Sequence, residues 1–304
     1  MIVSEYHRPV LLRKVLDLLK IEKGRIYLDA TVGGGGYTRE ILKKGGFVLA
    51  LDADINAVEF LRKDADLAGF LARGELILEN ENFIRVEEIA DKHGIQKFQG
   101  AVFDLGLSSY QLDKSGRGFS FRKNEPLDMR FDTGGRVKAS DILNTYSEKE
   151  LYEIFTKYAE ELHSRSVAVA VLRARSLKGN ITTTGQLNEI IRSAVPVTNK
   201  KQPDKSLRMI YQALRIAVNR ELENLLEGLE NSIHRLGTEG RIAVLSYHSL
   251  EDRIVKRLFD DYRKKAVLRI ITGRPERPEW NEIKENRRAK SAKLRVGEMI
   301  TNGL

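Results

Sequence analysis

This 304-residue chain contains no cysteine. Disulfides, thiolate metal sites and a cysteine nucleophile are therefore excluded. Its histidines, His7, His93, His163, His234 and His248, are widely scattered, and none has the spacing of metal ligands, so no metal is expected. The first residues, Met1-Ile-Val-Ser-Glu-Tyr-His-Arg-Pro9, lack the apolar stretch of a signal peptide. No apolar run approaches the length that spans a bilayer. A cytoplasmic, soluble protein without a membrane partner is the expectation. There is no internal repeat and no low-complexity tract.

What is present is a hydrophobic content of 41%, ample for one large core and for one or two domains. The net charge of +9 points to a polyanionic partner, most simply nucleic acid. An anionic membrane surface or a general solubility surface are the alternatives.

Residues 25–31 read as a buried strand. Four glycines follow, Gly33, Gly34, Gly35 and Gly36, then a helical stretch over 37–44. A second apolar strand, 47–51, runs into Asp52. Strand, glycine turn, helix, strand and acid make one βαβ unit, whose crevice is where open α/β sheets bind ligands. Glycines let backbone pass close to a ligand, and Asp52 is placed to accept from ribose hydroxyls. The dinucleotide fingerprint G-x-G-x-x-G fails at its third glycine, which is Thr38 or Arg39 here depending on the starting glycine. An acid inside the first strand, Asp29, followed by a glycine-rich turn, instead resembles an S-adenosylmethionine-dependent methyltransferase.

Further along, 10–20, 54–62 and 84–92 read as helices, and 75–79 and 100–106 as strands. The βα alternation predicts a parallel sheet. The rhythm breaks over 107–135. Helical patterns resume at 140–178, 182–195 and 206–236, with a polar, basic loop at 197–205. Residues 241–248 restore a strand, 249–263 read as a helix, and 266–272 and 294–300 as the last strands. The expected architecture is an α/β cofactor domain (1–108 and 207–304) interrupted by a helical insertion over 109–206.

Asp104 ends the fourth strand beside the crevice, followed by Gly106, Ser108 and Ser109. A helix cap or a solvated acid is the plain alternative. Methylation of an exocyclic base amine needs acceptors on its N–H bonds, because the lone pair is delocalised into the ring. A carboxylate and a backbone carbonyl can supply them. Asp104 is the candidate catalytic residue, either orienting the amine or gripping the cofactor. The run Arg117-Gly-Phe-Ser-Phe-Arg122 with Pro126-Leu-Asp-Met-Arg130 could stack on bases and contact phosphates, or could fold on itself as a lid with Phe119 and Phe121 as its core. His248 contacts substrate or caps the next helix, and Ser249, Glu251 and Asp252 look like a helix start. No glycine elbow surrounds either serine of 246–249. The basic stretch Arg287-Arg-Ala-Lys-Ser-Ala-Lys-Leu-Arg295, with Arg263-Lys-Lys265 and Lys200-Lys201, favours RNA.

Six blocks together resemble one family. They are Tyr27-Leu-Asp-Ala-Thr-Val-Gly-Gly-Gly-Gly36, Asp104-Leu-Gly-Leu-Ser-Ser109 with Gln111-Leu-Asp113, Arg117-Gly-Phe-Ser-Phe121, Pro126-Leu-Asp-Met-Arg130, Tyr211-Gln-Ala-Leu-Arg-Ile216 with Val218-Asn219, and His248-Ser-Leu-Glu-Asp-Arg-Ile-Val-Lys256. The family is the bacterial ribosomal RNA small-subunit methyltransferase H, or MraW, family. The resemblance implies a Rossmann-like class I methyltransferase sheet carrying an inserted helical substrate-recognition domain. It implies methylation of N4 of a cytidine in the decoding region of 16S rRNA, with the small ribosomal subunit as partner. It implies S-adenosylmethionine held at Gly35, Gly36, Tyr37, Asp52, Phe83, Asp104 and Gln111, joined by Gly33 and Gly34 of the same loop. The family loop usually reads Asp-Gly-Thr and ends in Gly-Gly-His; here Ala30 and Tyr37 stand in those places. The family's Pro-Ala-Thr-Arg-Thr-Phe is degraded before Tyr211, with Arg208 displaced by one position.

The alternatives are a DNA amino-methyltransferase, a non-catalytic RNA-binding ribosome assembly factor, and, weakest, a nicotinamide dehydrogenase. The first usually places an aromatic three residues after the acid, where this chain has Leu107. Oligomeric state, monomer or homodimer, is left open.

Overall fold

Five strands with near-continuous apolar runs lie side by side and parallel, as expected of strands buried on both faces. They are β1 (Ile26–Asp29), β2 (Phe47–Leu51), β3 (Leu76–Glu79), β4 (Phe98–Asp104) and β5 (Leu236–Ser246). Two more, β6 (Leu268–Ile270) and β7 (Lys293–Met299), complete a seven-stranded sheet in the order β3-β2-β1-β4-β5-β7-β6. β7 runs antiparallel to both its neighbours. The structure, a computed structural model, describes residues 9–159, 161–196 and 202–300.

The chain forms two compact units. One runs to Ser108 and resumes at Leu222; the other is Ser109–Glu221. The second unit runs on to Glu221, where the sequence reading has the insertion over 109–206. The reason is the helix Gln202–Asn219, whose Leu207, Ile210 and Leu214 are buried with the other apolar residues of the insertion. The expected 206–236 helix is two helices, Gln202–Asn219 and Glu221–His234, separated at Arg220, whose φ is +50°. Leu236 opens β5 instead of ending a helix.

In the first unit, one face of the sheet packs Leu28, Leu49 and Phe103 against Val86 and Ile89, against Leu225, Leu229 and Ile233, and against Leu258 and Phe259. The other face packs Tyr27, Val48 and Ala50 against Ile41, Val58, Leu61 and Leu67. The helices that carry these residues are Val86–Lys92, Glu221–His234 and Ser249–Lys264 on the first face, and Gly36–Lys43, Ile55–Arg62 and Ala65–Ala72 on the second. The sheet reverses its winding between β1 and β4: β2 follows β1 on one side, and β4 and β5 build out on the other. That reversal opens the crevice at the carboxyl ends of β1 and β4.

The second unit is helical. The expected 140–178 helix is split into Ala139–Thr145, Glu148–Ile154, a π-turn over Phe155–Ala159, and Ser164–Lys178. Thr184–Ala194 follows, started by Thr183 and Gln186 in a reciprocal cap. The irregular stretch between Asp113 and Lys138 is fastened by Asn219, which donates to Met129 O at 2.8 Å and accepts from Phe131 N at 2.7 Å. The fastening holds Met129 at φ +60°, which is strained for that residue. Among the described residues, no helix is long and apolar enough to cross a membrane.

Candidate active site

Three acids gather at the carboxyl edge of the sheet. Asp29 ends β1, Asp52 follows β2 and Asp104 ends β4, with β1 paired to both neighbouring strands. The loop Gly33, Gly34, Gly35 and Gly36 leaves the end of β1 and enters the helix Gly36–Lys43.

Asp52 is aimed at this loop. Its Oδ2 accepts from Gly33 N at 2.9 Å, and its Oδ1 accepts from Asp54 N at 2.9 Å. Asn80 steadies the same residue by donating to its carbonyl at 2.9 Å. The glycines divide the work. A Cβ on Gly33 would meet nothing nearer than Thr31 O at 3.9 Å, so that side of the loop is open, while its N–H is held by Asp52. A Cβ on Gly35, at φ +75°, would lie 2.9 Å from Leu61, and one on Gly36 would lie 2.6 Å from Pro9. Those two positions let the helix pack closely.

Asp29 is fully buried. Its Oδ2 accepts from the Thr38 hydroxyl at 2.6 Å and its Oδ1 from Thr31 N at 3.4 Å. The position that lacks the dinucleotide glycine thus carries a hydroxyl that ties the strand end to the first turn of the helix. Burial pushes the Asp29 carboxyl up to about 7; the charges of Asp104 and Asp52 push the same way, and the hydrogen bonds from Thr38 and Thr31 oppose them.

Asp104 is held from two sides. Its backbone N–H donates to Thr31 Oγ1 at 2.7 Å, and its Oδ1 accepts from the Tyr247 hydroxyl at 2.6 Å. Tyr247 follows the end of β5, and its ring packs over Gly106, where a Cβ would come within 3.2 Å of it. Burial, then the adjacent Asp104 charge, hold the Tyr247 hydroxyl well above its ordinary value. It therefore stays protonated and remains a donor.

The other expected cofactor residues are placed as follows. The Tyr37 side chain is buried among Val10, Val15, Leu19 and Val102, and its hydroxyl donates to Val10 O. It points into the core, so only its backbone N–H, in the first helical turn, faces outward. Phe83 opens a short 3₁₀ turn, partly buried, edge-on to Phe103 with ring centroids 5.4 Å apart. Gly228 lies beneath its ring: a Cβ there would fall 2.3 Å from Phe83 Cδ2. Gln111 is buried in the helix Ser109–Asp113 of the second unit.

The aromatic run folds on itself. Phe119 is buried and stacked on Phe131 at 5.7 Å, and Phe121 meets Tyr211 edge-on. Arg117 donates to the carbonyls of Arg130 and Phe131, and Arg130 grips Asp128 through two nitrogens at 2.7 Å. These side chains are spent on the loop's own core. His248 caps Ser249–Lys264 together with Glu251, whose carboxylate accepts from Tyr247 N and His248 N. Of the basic stretch, Lys293 and Arg295 are both engaged by Asp252. Lys200 and Lys201 lie outside the described residues.

Sequence reasoning overlooked Tyr247, Thr31, Thr38 and Asn80 as partners of the acids. The rule that strand ends build such sites would have reached Tyr247, one residue beyond β5.

As a donor set, this edge fits the cofactor that the sequence motifs imply. A carboxylate beside an open glycine backbone accepts from a pair of ribose hydroxyls, and the carboxylates of Asp52 and Asp104 at one sheet edge favour a cationic sulfonium.

Residues 4–300 match the profile of the MraW methylase family. The chain is 38% identical to the ribosomal RNA small subunit methyltransferase H of Clostridium botulinum, over 95% of this chain and 97% of that one. It is 39% identical to the protein of the same name from Halothermothrix orenii, over 97% and 99%. Among solved structures, an rRNA methylase from Streptococcus thermophilus aligns over 97% of this chain and 98% of its own, at 12% identity and a TM-score of 0.45. With a matching profile over nearly its whole length and relatives of this identity, the chain belongs to the MraW methylase family.

Proposed function

We propose that this protein transfers a methyl group from S-adenosylmethionine to N4 of a cytidine in the 16S rRNA of the small ribosomal subunit. Membership of the family over nearly the full chain supports the reaction class and the RNA substrate. The observation that carries the chemistry is Asp104 at the end of β4, one strand from the glycine loop and held by Tyr247 and Thr31.

In this reading the backbone of Gly33, Gly34, Gly35, Gly36 and Tyr37 lines the cofactor, and Asp52 accepts from its ribose. Phe83 borders the adenine with the edge of its ring that the core leaves uncovered. Gln111 is assigned to the cofactor on family resemblance alone. The cofactor supplies a methyl group activated by a sulfonium. Asp104 accepts from the N4 amine, turns its lone pair out of conjugation, and takes the proton that the amine sheds as the new bond forms. Catalysis is then mostly positioning and electrostatics. The target base must leave its stack to reach Asp104.

The test is mass spectrometry of nucleosides from 16S RNA and from small subunits incubated with the protein and labelled cofactor. N4-methylcytidine is expected from at least one of them. Its absence from both, or a preference for DNA in direct competition, overturns the reading.

A further inference from the structure

The chain's single tryptophan, Trp280, is 70% exposed. It opens the helix Trp280–Glu285, and the Lys284 ammonium sits over its ring at 5.3 Å. Arg274, Arg277, Lys284, Arg287 and Lys290 are exposed on the same segment, and no ion pair with a described residue engages them. Four acids lie between them: Glu276 pairs with Lys14 at 3.6 Å, Glu282 accepts from Leu11 N at 2.7 Å, and Glu279 and Glu285 are exposed, so that with Arg288 the cations of the segment outnumber its acids.

The segment is fixed, and its place in the sheet is set by register. Asp104 lies opposite Leu245, Leu245 opposite Leu294, and Leu294 opposite Glu276 in an isolated bridge. Residues 277–293 therefore make a loop clamped at its base on the strand row that contains Asp104. Three strand spacings separate Asp104 from that base, about 14 Å. The loop thus rises from the sheet edge that carries the reactive acid.

We infer that Trp280 is a stacking platform for an unpaired base of the RNA substrate, with the surrounding arginines and lysines holding the adjacent phosphates. The inference rests on the proposed RNA methylation for the identity of the polyanion. An exposed indole with a lysine over its ring, on a segment whose cations outnumber its acids, is a pattern that binds single-stranded nucleic acid, where base faces supply the stacking and backbone phosphates the charge. Lys284 keeps the ring oriented through a cation–π contact.

As the only tryptophan, Trp280 reports on its own contact. Titration with a single-stranded oligoribonucleotide of mixed sequence is expected to quench its emission, with a midpoint that moves to higher RNA concentration as salt is raised. Trp280→Ala is expected to raise KM for the RNA substrate roughly five- to a hundredfold, the range spanned by one lost base–aromatic stack. Its kcat and its S-adenosylmethionine affinity should stay within about twofold, the latter confirming that the fold is intact. Trp280→Phe should recover part of the loss. Unchanged emission with RNA, an unchanged KM in Trp280→Ala, or quenching by phosphatidylserine vesicles but not by RNA would overturn the inference. Should the wild-type protein methylate no cytidine, the functional reading falls, while the fluorescence titration still decides the role of Trp280.

Discussion

The Tyr247 hydroxyl stands 2.6 Å from Asp104 Oδ1 and donates to it. The pair joins the ends of β5 and β4, two strands in direct register at Asp104 and Leu245. A buried phenol that keeps its proton is a fixed donor. It sets the carboxylate's rotamer. Tyr247→Phe removes that one bond and keeps the ring over Gly106. Single-turnover methylation should slow about tenfold or more, since a hydrogen bond to a charged group is worth about 1.5–3 kcal/mol. Cofactor affinity should change little.

Asp104→Ala removes the acceptor itself. Methyl transfer should fall by at least about a hundredfold, with the circular-dichroism spectrum and melting behaviour of the wild type retained. An active Asp104→Ala protein would sink the assigned role.

Asp52 is joined to the glycine loop and to the turn after β2 by its two oxygens. Asp52→Ala loses both bonds and the acceptor offered to the ribose. Calorimetry should show S-adenosylmethionine binding weakened roughly ten- to a hundredfold, as for a lost hydrogen bond to a charged group. Binding at wild-type strength would place the ribose elsewhere.

Asp29 gives a pH dependence with a definite sign. Its folded value, about 7, lies above the ordinary 3.8, so the folded protein keeps a proton there that the unfolded chain releases. This contribution is fullest below the unfolded value and is lost as pH rises through about 7, at a rate on the order of 1 kcal/mol per pH unit. Asp29→Asn keeps partners for Thr31 and Thr38 and cannot ionise. Compared by urea unfolding, it should be more stable than wild type at pH 8, with the advantage shrinking toward pH 5. An equal gap at both pH values would refute a buried, titrating carboxyl.

Gly228→Ala tests the seat of Phe83. Alanine favours the helix by about 1 kcal/mol, but its methyl would drive into the Phe83 ring, and overpacking of this kind costs about 1–3 kcal/mol. Net destabilisation is expected in urea unfolding, relieved when Phe83→Leu is added. A stabilised single variant would show that the ring moves aside freely.

Much of the sheet is readable from the sequence because β1, β2 and the second halves of β4 and β5 are buried and carry short apolar runs. The glycine loop, Asp52 and Asp104 are readable for the same reason: each sits where such a run stops. What the sequence hides has a physical cause in each case. Arg220 is an ordinary helix former, and nothing local announces its left-handed backbone. The start of the helix Gln202–Asn219 contains Pro203, a residue that helices accept in their first turn and that reads equally well as loop. Tyr37 occupies a place where a ligand contact is expected, yet its ring is the size and polarity of a core residue with one carbonyl to reach, and the core takes it. The pairing of Tyr247 with Asp104 joins residues 143 positions apart, a separation that no local pattern encodes.

The position of β7 has a consequence for incomplete chains. It is the outer neighbour of β5 and lies between it and β6. A chain cut or stalled before Lys293 would leave the 241–246 part of β5, apolar from Ile242 to Leu245, with one row of amides and carbonyls bare. An uncovered apolar margin of that kind recruits other chains. Such fragments should therefore precipitate, so a soluble fragment ending before β7 is not to be expected.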